Sequence, residues 1–308
     1  DTNMLDVRFA DSLNSLAITK ITAEAANTVN INNIGQPAAN LTVKDSALVG
    51  NTVNFNYVDN VLPGTTANGN AETGNVTISS TNLTKLHIGN ATKTQGFETL
   101  NLAVSKINQV SALEAIDLEN LKIAGSGNLT LVNTANLVKG GVTEGVQFVG
   151  GGIAIGDGLG IRTIDASGFT GTLGLDISSA VGGHTDPANS GQKYYASVTG
   201  GTGNDTITAA GGDDVIKLSA GGNDKVVFGT HAANGKDTIT GFSSGDTLNI
   251  AALGDGSTPA TNTAVISTAA AQQAFVDDTY YIINTTGAAA NLTTSGTAVV
   301  TDWTNLTQ

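Results

Sequence analysis

The stretch Gly200-Gly201-Thr202-Gly203-Asn204-Asp205-Thr206-Ile207-Thr208 constrains the fold more than any other in the chain. It reads G-G-x-G-x-D-x-U-x, where U is a large apolar residue. The glycines permit a tight, left-handed turn, the acid directs a carboxylate into that turn, and the apolar residue two places on points inward along a short strand. The pattern returns as AAGGDDVIK over residues 209–217, with Gly212, Asp214 and Ile216 in register. After a one-residue slip comes SAGGNDKVV, with Gly222, Asp224 and Val226. A short insertion around Gly229 to His231 precedes AANGKDTIT, which keeps Gly235, Asp237 and Ile239. Asp246 and Leu248 follow in GFSSGDTLN, and Asp255 keeps the acid alone.

Nonapeptides of this kind, each a turn and a short strand, build a parallel β-roll in which two units complete one coil. Alternate turns then stack on one edge. Asp205, Asp224 and Asp246 are expected on one side, and Asp214, Asp237 and Asp255 on the other. Strands stack roughly 4.8 Å apart, so like-charged carboxylates repel unless a cation lies between them. Carboxylate and turn-carbonyl oxygens favour calcium over softer metals. The expected ligand region comprises Gly200, Gly201, Thr202, Gly203, Asp205, Gly212, Asp214, Gly222, Asp224, Gly235, Asp237 and Asp246, with Ca2+ as the cofactor and folding coupled to its binding.

Before the repeats, runs of three to six residues rich in Val, Ile, Leu and Thr alternate with Gly, Asn and Ser. Examples are Thr28–Ile31, Leu41–Val43, Asn75–Ile78, Leu83–Leu86, Phe97–Leu102, Ile116–Leu118, Leu121–Ile123, Leu129–Leu131 and Ile161–Ile164. This is the strand-and-turn pattern of an all-β protein. Spacings near 20 residues suit the coils of a parallel β-solenoid, with a β-sandwich as the alternative. Asn30, Asn32, Asn33, Asn51, Asn54, Asn56, Asn128 and Asn133 are expected to stack at turns. After Gly256 the Ala-rich stretch Thr268–Val276 is the best helix candidate, and Thr279–Ile283 reads as a strand. The expected fold is therefore all-β: a parallel β-solenoid or β-helix over residues 1–190, a calcium-binding β-roll over 191–256, and a small C-terminal cap with the secretion-signal region over 257–308.

Charge and composition exclude several functions. The chain of 308 residues carries a net charge of −13, with 13 Lys plus Arg and no Cys. Nucleic-acid binding needs clustered basic residues, and thiolate metal sites need cysteine. No apolar run approaches the roughly 20 residues that span a bilayer. The opening DTNMLDVRFA lacks the basic-then-apolar order of a secretory leader and does not begin with Met. A piece of a longer protein is expected.

Enzyme motifs fail on context. Gly241-Phe242-Ser243-Ser244-Gly245 matches G-x-S-x-G, but that elbow needs a strand–turn–helix setting and a later histidine, and His231 is the last histidine. His87, His184 and His231 have no partner four residues on for a zinc site. His87, between Leu86 and Ile88, is expected on a solvent face. Asp213-Asp214 and Asp277-Asp278 are adjacent acids that a strand would point to opposite faces, and Tyr194-Tyr195 reads as an edge-strand packing pair. No catalytic residues are expected.

The nonapeptides resemble those of RTX proteins. The segment IRTIDASGFTGTLGL over residues 161–175, leading through Ala196–Gly200 into the first repeat, is similar to the region before the repeats in bacterial surface-layer proteins. Gly96–Leu102 and Asn128–Leu131 are similar to their solenoid coils. The resemblance implies an extracellular structural protein on a Gram-negative cell surface. It implies export by type I secretion, folding in external calcium, and self-association into a two-dimensional lattice. Anchoring to lipopolysaccharide would be through a region N-terminal to this one. The tail from Ala298 to Leu306 is then a candidate for the secretion end. An adhesin or biofilm matrix protein, and the export domain of a secreted hydrolase or polysaccharide-modifying enzyme, are the alternatives.

Overall fold

The computed structural model describes residues 4–8, 15–18, 28–35, 40–62, 73–92, 95–115, 118, 120–131, 136–139, 142–145, 163–177, 197–209, 214–218, 221–228, 237–241, 245–249, 263–266, 280–283 and 306–307. Strands β1 (Met4–Arg8), β2 (Ser15–Ile18), β3 (Thr28–Ile34), β4 (Asn40–Tyr57), β5 (Thr73–Asn90) and β6 (Thr99–Val110) form the first part of the stack. β7 (Leu113–Glu114), β8 (Asn120–Gly125), β9 (Asn128–Leu131), β12 (Thr163–Phe169) and β13 (Leu173–Asp176) continue it, and β10 (Asn136–Lys139) pairs separately with β11 (Val142–Gly145). The three-residue strands β14 (Ser197–Thr199), β15 (Thr206–Thr208), β16 (Val215–Lys217), β17 (Lys225–Val227), β18 (Thr238–Thr240) and β19 (Thr247–Asn249) follow. Beyond them lie β20 (Thr263–Ile266), β21 (Tyr280–Ile283) and β22 (Leu306–Thr307).

The protein is all-β, and its main sheet is a parallel β-solenoid. Among the described residues, every pairing in that sheet is parallel except β18 with β22. A β-sandwich is thereby overturned, because its sheets would be antiparallel. One ladder carries a core row in register from Leu100 through Leu121, Ile164, Val198 and Ile216 to Ile239. A second carries Leu131, Leu175, Ile207, Val226 and Leu248. Because β12 pairs with both β8 and β14, the stack passes from the longer coils into the repeats without a break.

Coil length is read from side chains bonded one coil apart. It is 24 residues from Asn30 to Asn54 and 26 from Asn75 to Asn101, then 19 from Asp205 to Asp224. The last value is close to two nonapeptides. The insertion around Gly229 lengthens the next coils to 22 and 23 residues.

The period-2 alternation buries one side of each strand. Phe55, Ile78, Leu83, Ile88, Leu100, Phe97 and Phe169 are fully enclosed, and Tyr57 meets Phe97 edge-on with ring centroids 5.2 Å apart. Burial pushes the Tyr57 hydroxyl pKa up from its ordinary value. The corner is built from left-handed residues. Asp45, Ser80 and Lys106, with φ of 51°, 59° and 61°, each follow a residue of one in-register row: Lys44, Ser79 and Ser105.

Asparagine ladders form, but on the strands. Asn54 donates to Asn30 and Asn56 to Asn32, both at 2.6 Å, and all four lie within β3 and β4. The expectation of turn stacking is corrected: a flat strand repeats identical side chains directly above one another, which a turn of changing length does not. Asn33 turns a corner instead, with φ of 61°. Asn101 donates to Asn75 at 2.9 Å, a rung the sequence reading missed. The helix candidate at 268–276 and Asn133 lie outside the described residues.

Candidate functional site

The acids of the repeats come together in two files. Asp205, Asp224 and Asp246 stand at the entries of β15, β17 and β19, and Asp214 and Asp237 at those of β16 and β18. All five are at most 3% exposed. This is the expected division between two edges, apart from Asp255, which lies outside the described residues.

Each acid braces the coil before it. The Asp205 backbone N–H donates to Asp224 Oδ1 at 2.9 Å, and the Asp224 N–H donates to Asp246 Oδ1 at 2.8 Å. On the other file the Asp214 N–H donates to Asp237 Oδ1 at 2.9 Å. The first file starts at Leu173, whose N–H donates to Asp205 Oδ1 at 3.1 Å, while the Gly201 N–H reaches Asp205 Oδ2 at 2.6 Å. Asn204 and Asn223 run alongside, with the Asn223 N–H donating to Asn204 Oδ1 at 2.9 Å.

These bonds soften the isolation of the acids without cancelling it. Burial pushes the Asp205 carboxyl up, against the two N–H donors that pull it down. Asp224 is pushed up to about 7, first by burial and then by the neighbouring charges of Asp205 and Asp246. A row of carboxylates closer together than their charges favour is an incomplete electrostatic structure.

Glycine is required for two different reasons. Gly222 has φ of 87°, a left-handed conformation. Gly203 has no such angle; there a Cβ would run into the carbonyl oxygen of Gly171 one coil before. The left-handed rationale expected for the first repeat is thus corrected to close backbone approach. Gly200 and Gly201 are buried and Thr202 is exposed, while Gly212 and Gly235 lie outside the described residues.

Carboxylate oxygens are donors that suit a hard cation. Every carboxylate oxygen that accepts one N–H retains a further lone pair. Among the described residues, no three His, Cys, Asp or Glu side chains converge as a metal cluster. A cation here would therefore need turn carbonyls beside the carboxylates.

A second buried polar group was not anticipated. His87 is 2% exposed and faces Glu114 of β7, which is 1% exposed. The expectation of a solvent face for His87 is corrected. Its side chain does point away from the core row of Leu86 and Ile88, but the turn beginning at Asn90 and the short strand β7 cover it. Alternation gives the side of a strand on which a residue lies, and says nothing of what a later segment lays over it.

The G-x-S-x-G match lacks its context. Gly241 and Gly245, at φ of 75° and 107°, lie between strands β18 and β19, where the elbow would need a helix to follow. Ser243, His184, His231, Asp213, Tyr194, Tyr195, Asp277 and Asp278 lie outside the described residues. Among the described residues no helix is long and apolar enough to cross a membrane. Comparison of the chain with family models, curated proteins and solved structures finds no match.

Proposed function

We propose that this protein is a non-enzymatic structural component of a bacterial surface layer, exported unfolded and folding at the cell surface when calcium binds its aspartate files. The observation that carries the reading is the in-register stack of buried Asp205, Asp224 and Asp246, each braced by the preceding coil's backbone. Carboxylates so placed are strained without a counter-ion, and an oxygen-rich turn suits calcium. Asp214 and Asp237 repeat the arrangement on the other file.

The cellular logic follows from ion supply. Where calcium is scarce the repeats stay open and pass through an exporter. At the ~10⁻⁴–10⁻³ M affinities of extracellular modules, external calcium closes them. The long polar solenoid ahead of the repeats then supplies the surface that packs into the lattice, with lipopolysaccharide as the anchoring ligand of a further region. The long solenoid ahead of the repeats supports this assignment over the export domain of an enzyme.

Electron microscopy of purified protein with calcium and with chelator tests the proposal. Ordered two-dimensional sheets in calcium are expected. Isolated rods would point to an adhesin instead, and hydrolysis of a polysaccharide would remove the structural assignment.

A further inference from the structure

We infer that the side-chain amide of Asn108 does in the long coils what a calcium ion does in the aspartate files. One corner position, filled by Asn or by Asp, then decides which coils need calcium to close. The inference rests on the calcium reading above and extends it to a residue outside the repeats.

Asn108 and the aspartates occupy one column of the stack. Thr81 of β5 pairs with Asn108 of β6, Asn108 with Leu129 of β9, and Leu129 with Leu173 of β13. Gly174 pairs with Thr206, Thr206 with Lys225 and Lys225 with Thr247, which carries the column on to Asp205, Asp224 and Asp246. The brace is the same at both ends. The Thr81 N–H donates to Asn108 Oδ1 at 3.1 Å, as the Leu173 N–H does to Asp205 Oδ1 and the Asp205 N–H to Asp224 Oδ1. The turn is shared too. Two residues before Asn108 and Asp224 stand Lys106 and Gly222, left-handed at φ of 61° and 87°. The Lys106 carbonyl closes on Gly127 of the next coil as the Gly203 carbonyl closes on Gly222.

The second arm of the side chain differs. Asn108 is 1% exposed, and its Nδ2 donates to the carbonyl oxygens of Ser105 at 2.8 Å and Lys106 at 3.3 Å. The Thr81 hydroxyl adds a bond to Oδ1 at 3.0 Å. Because the Thr81 N–H only donates, Oδ1 must face it and Nδ2 must face the carbonyls. The amide thus ties the corner to the coil before it and to its own turn at once. An ionised Asp has no hydrogen to give. The second oxygen of Asp205 takes the Gly201 N–H at 2.6 Å, and the carboxylate can supply nothing to turn carbonyls. A hard cation supplies the missing link by binding carboxylate and carbonyl oxygens together. Between the two kinds of corner, Leu129 and Leu173 fill the column with buried apolar groups that need neither device.

Hydrogen-exchange mass spectrometry of the full chain at pH 8, in calcium and in chelator, tests the inference on wild type, N108D and D224N. In wild type, residues 99–110 should be equally protected in both conditions, while residues 221–228 gain protection in calcium. In N108D, residues 99–110 should exchange about tenfold faster in chelator, the factor for a buried polar group left unsatisfied, and calcium should restore them. In D224N, residues 221–228 should be better protected in chelator than in wild type. If residues 221–228 of wild type ignore calcium, the calcium reading fails and the inference with it. If they respond, the inference alone is overturned by N108D that calcium does not restore, by a wild-type corner at 99–110 that needs calcium, or by D224N without a gain in chelator.

Discussion

Replacing Asp224 by Asn gives two effects of opposite sign. Asn keeps the shape and keeps Oδ1 as acceptor for the Asp205 N–H, at 2.9 Å in the wild type. It removes the charge that Asp205 and Asp246 oppose. With Asp224 raised from 3.8 to about 7, ionising it in the ion-free fold costs about 4 kcal/mol at 1.36 kcal/mol per pH unit. The folded value lies above the unfolded one, so the penalty is absent below pH ~3.8, grows to pH ~7 and is constant above. In chelator at pH 8, D224N is therefore expected to be more stable than wild type by up to about 4 kcal/mol, and equally stable at pH 3.5. In calcium the order reverses, because the variant lacks a ligand charge. Urea denaturation followed by circular dichroism, at both pH values with calcium and with chelator, measures the effect. Equal stabilities in chelator at pH 8 would refute the claim that the file is electrostatically strained.

Further outcomes follow from the same geometry. Asp205→Ala is expected to raise the calcium concentration needed for folding, read by titration, whereas Ser243→Ala leaves it unchanged. Lys106→Gly relieves a left-handed backbone at φ 61° whose cost for an L-residue is about 1–2 kcal/mol, partly offset by glycine's entropy; a gain of up to about 1 kcal/mol in urea unfolding is expected. Phe55→Ala empties a fully enclosed site and should cost about 3–5 kcal/mol. Limited proteolysis in chelator should cut first within residues 197–249 and leave residues 73–131 intact.

Much of the fold can be read from the chain because solenoid strands repeat their cues. Leu41–Val43, Asn75–Ile78 and Leu121–Ile123 all fall in core rows, and the aspartates of alternate repeats fall into two files despite the slip and the insertion between them. Register over long gaps is less legible. Ile164 pairs with Leu121 across a stretch whose length no local signal fixes. The run from Asn51 to Tyr57 belongs to the same strand as Leu41–Val43, because β4 continues through a shift of register between Ser46 and Asn51. The His87 site was hidden for a related reason: Lys85, His87 and Glu114 become neighbours only once β7 pairs with β5.

The two halves of the stack are held by different forces, and this assigns the acids their role. The three fully enclosed phenylalanines, Phe55, Phe97 and Phe169, all precede the repeats. Strands there run up to 18 residues, so each coil buries several large apolar groups that offset the entropy of ordering it. In the repeats each strand has three residues and, β19 apart, buries only its central one, such as Ile207, Ile216, Val226 or Ile239, with Ala209, Leu218 and Phe228 buried just beyond the strands. A core that thin leaves the turns to supply what the strands do not. The acids occupy those turns in place of apolar residues, and their repulsion makes the segment less stable alone than its backbone bonding suggests. On the proposed reading, a counter-ion of suitable charge offsets that repulsion and carries the segment across its folding threshold. The long coils, with their own core, are expected to fold without one.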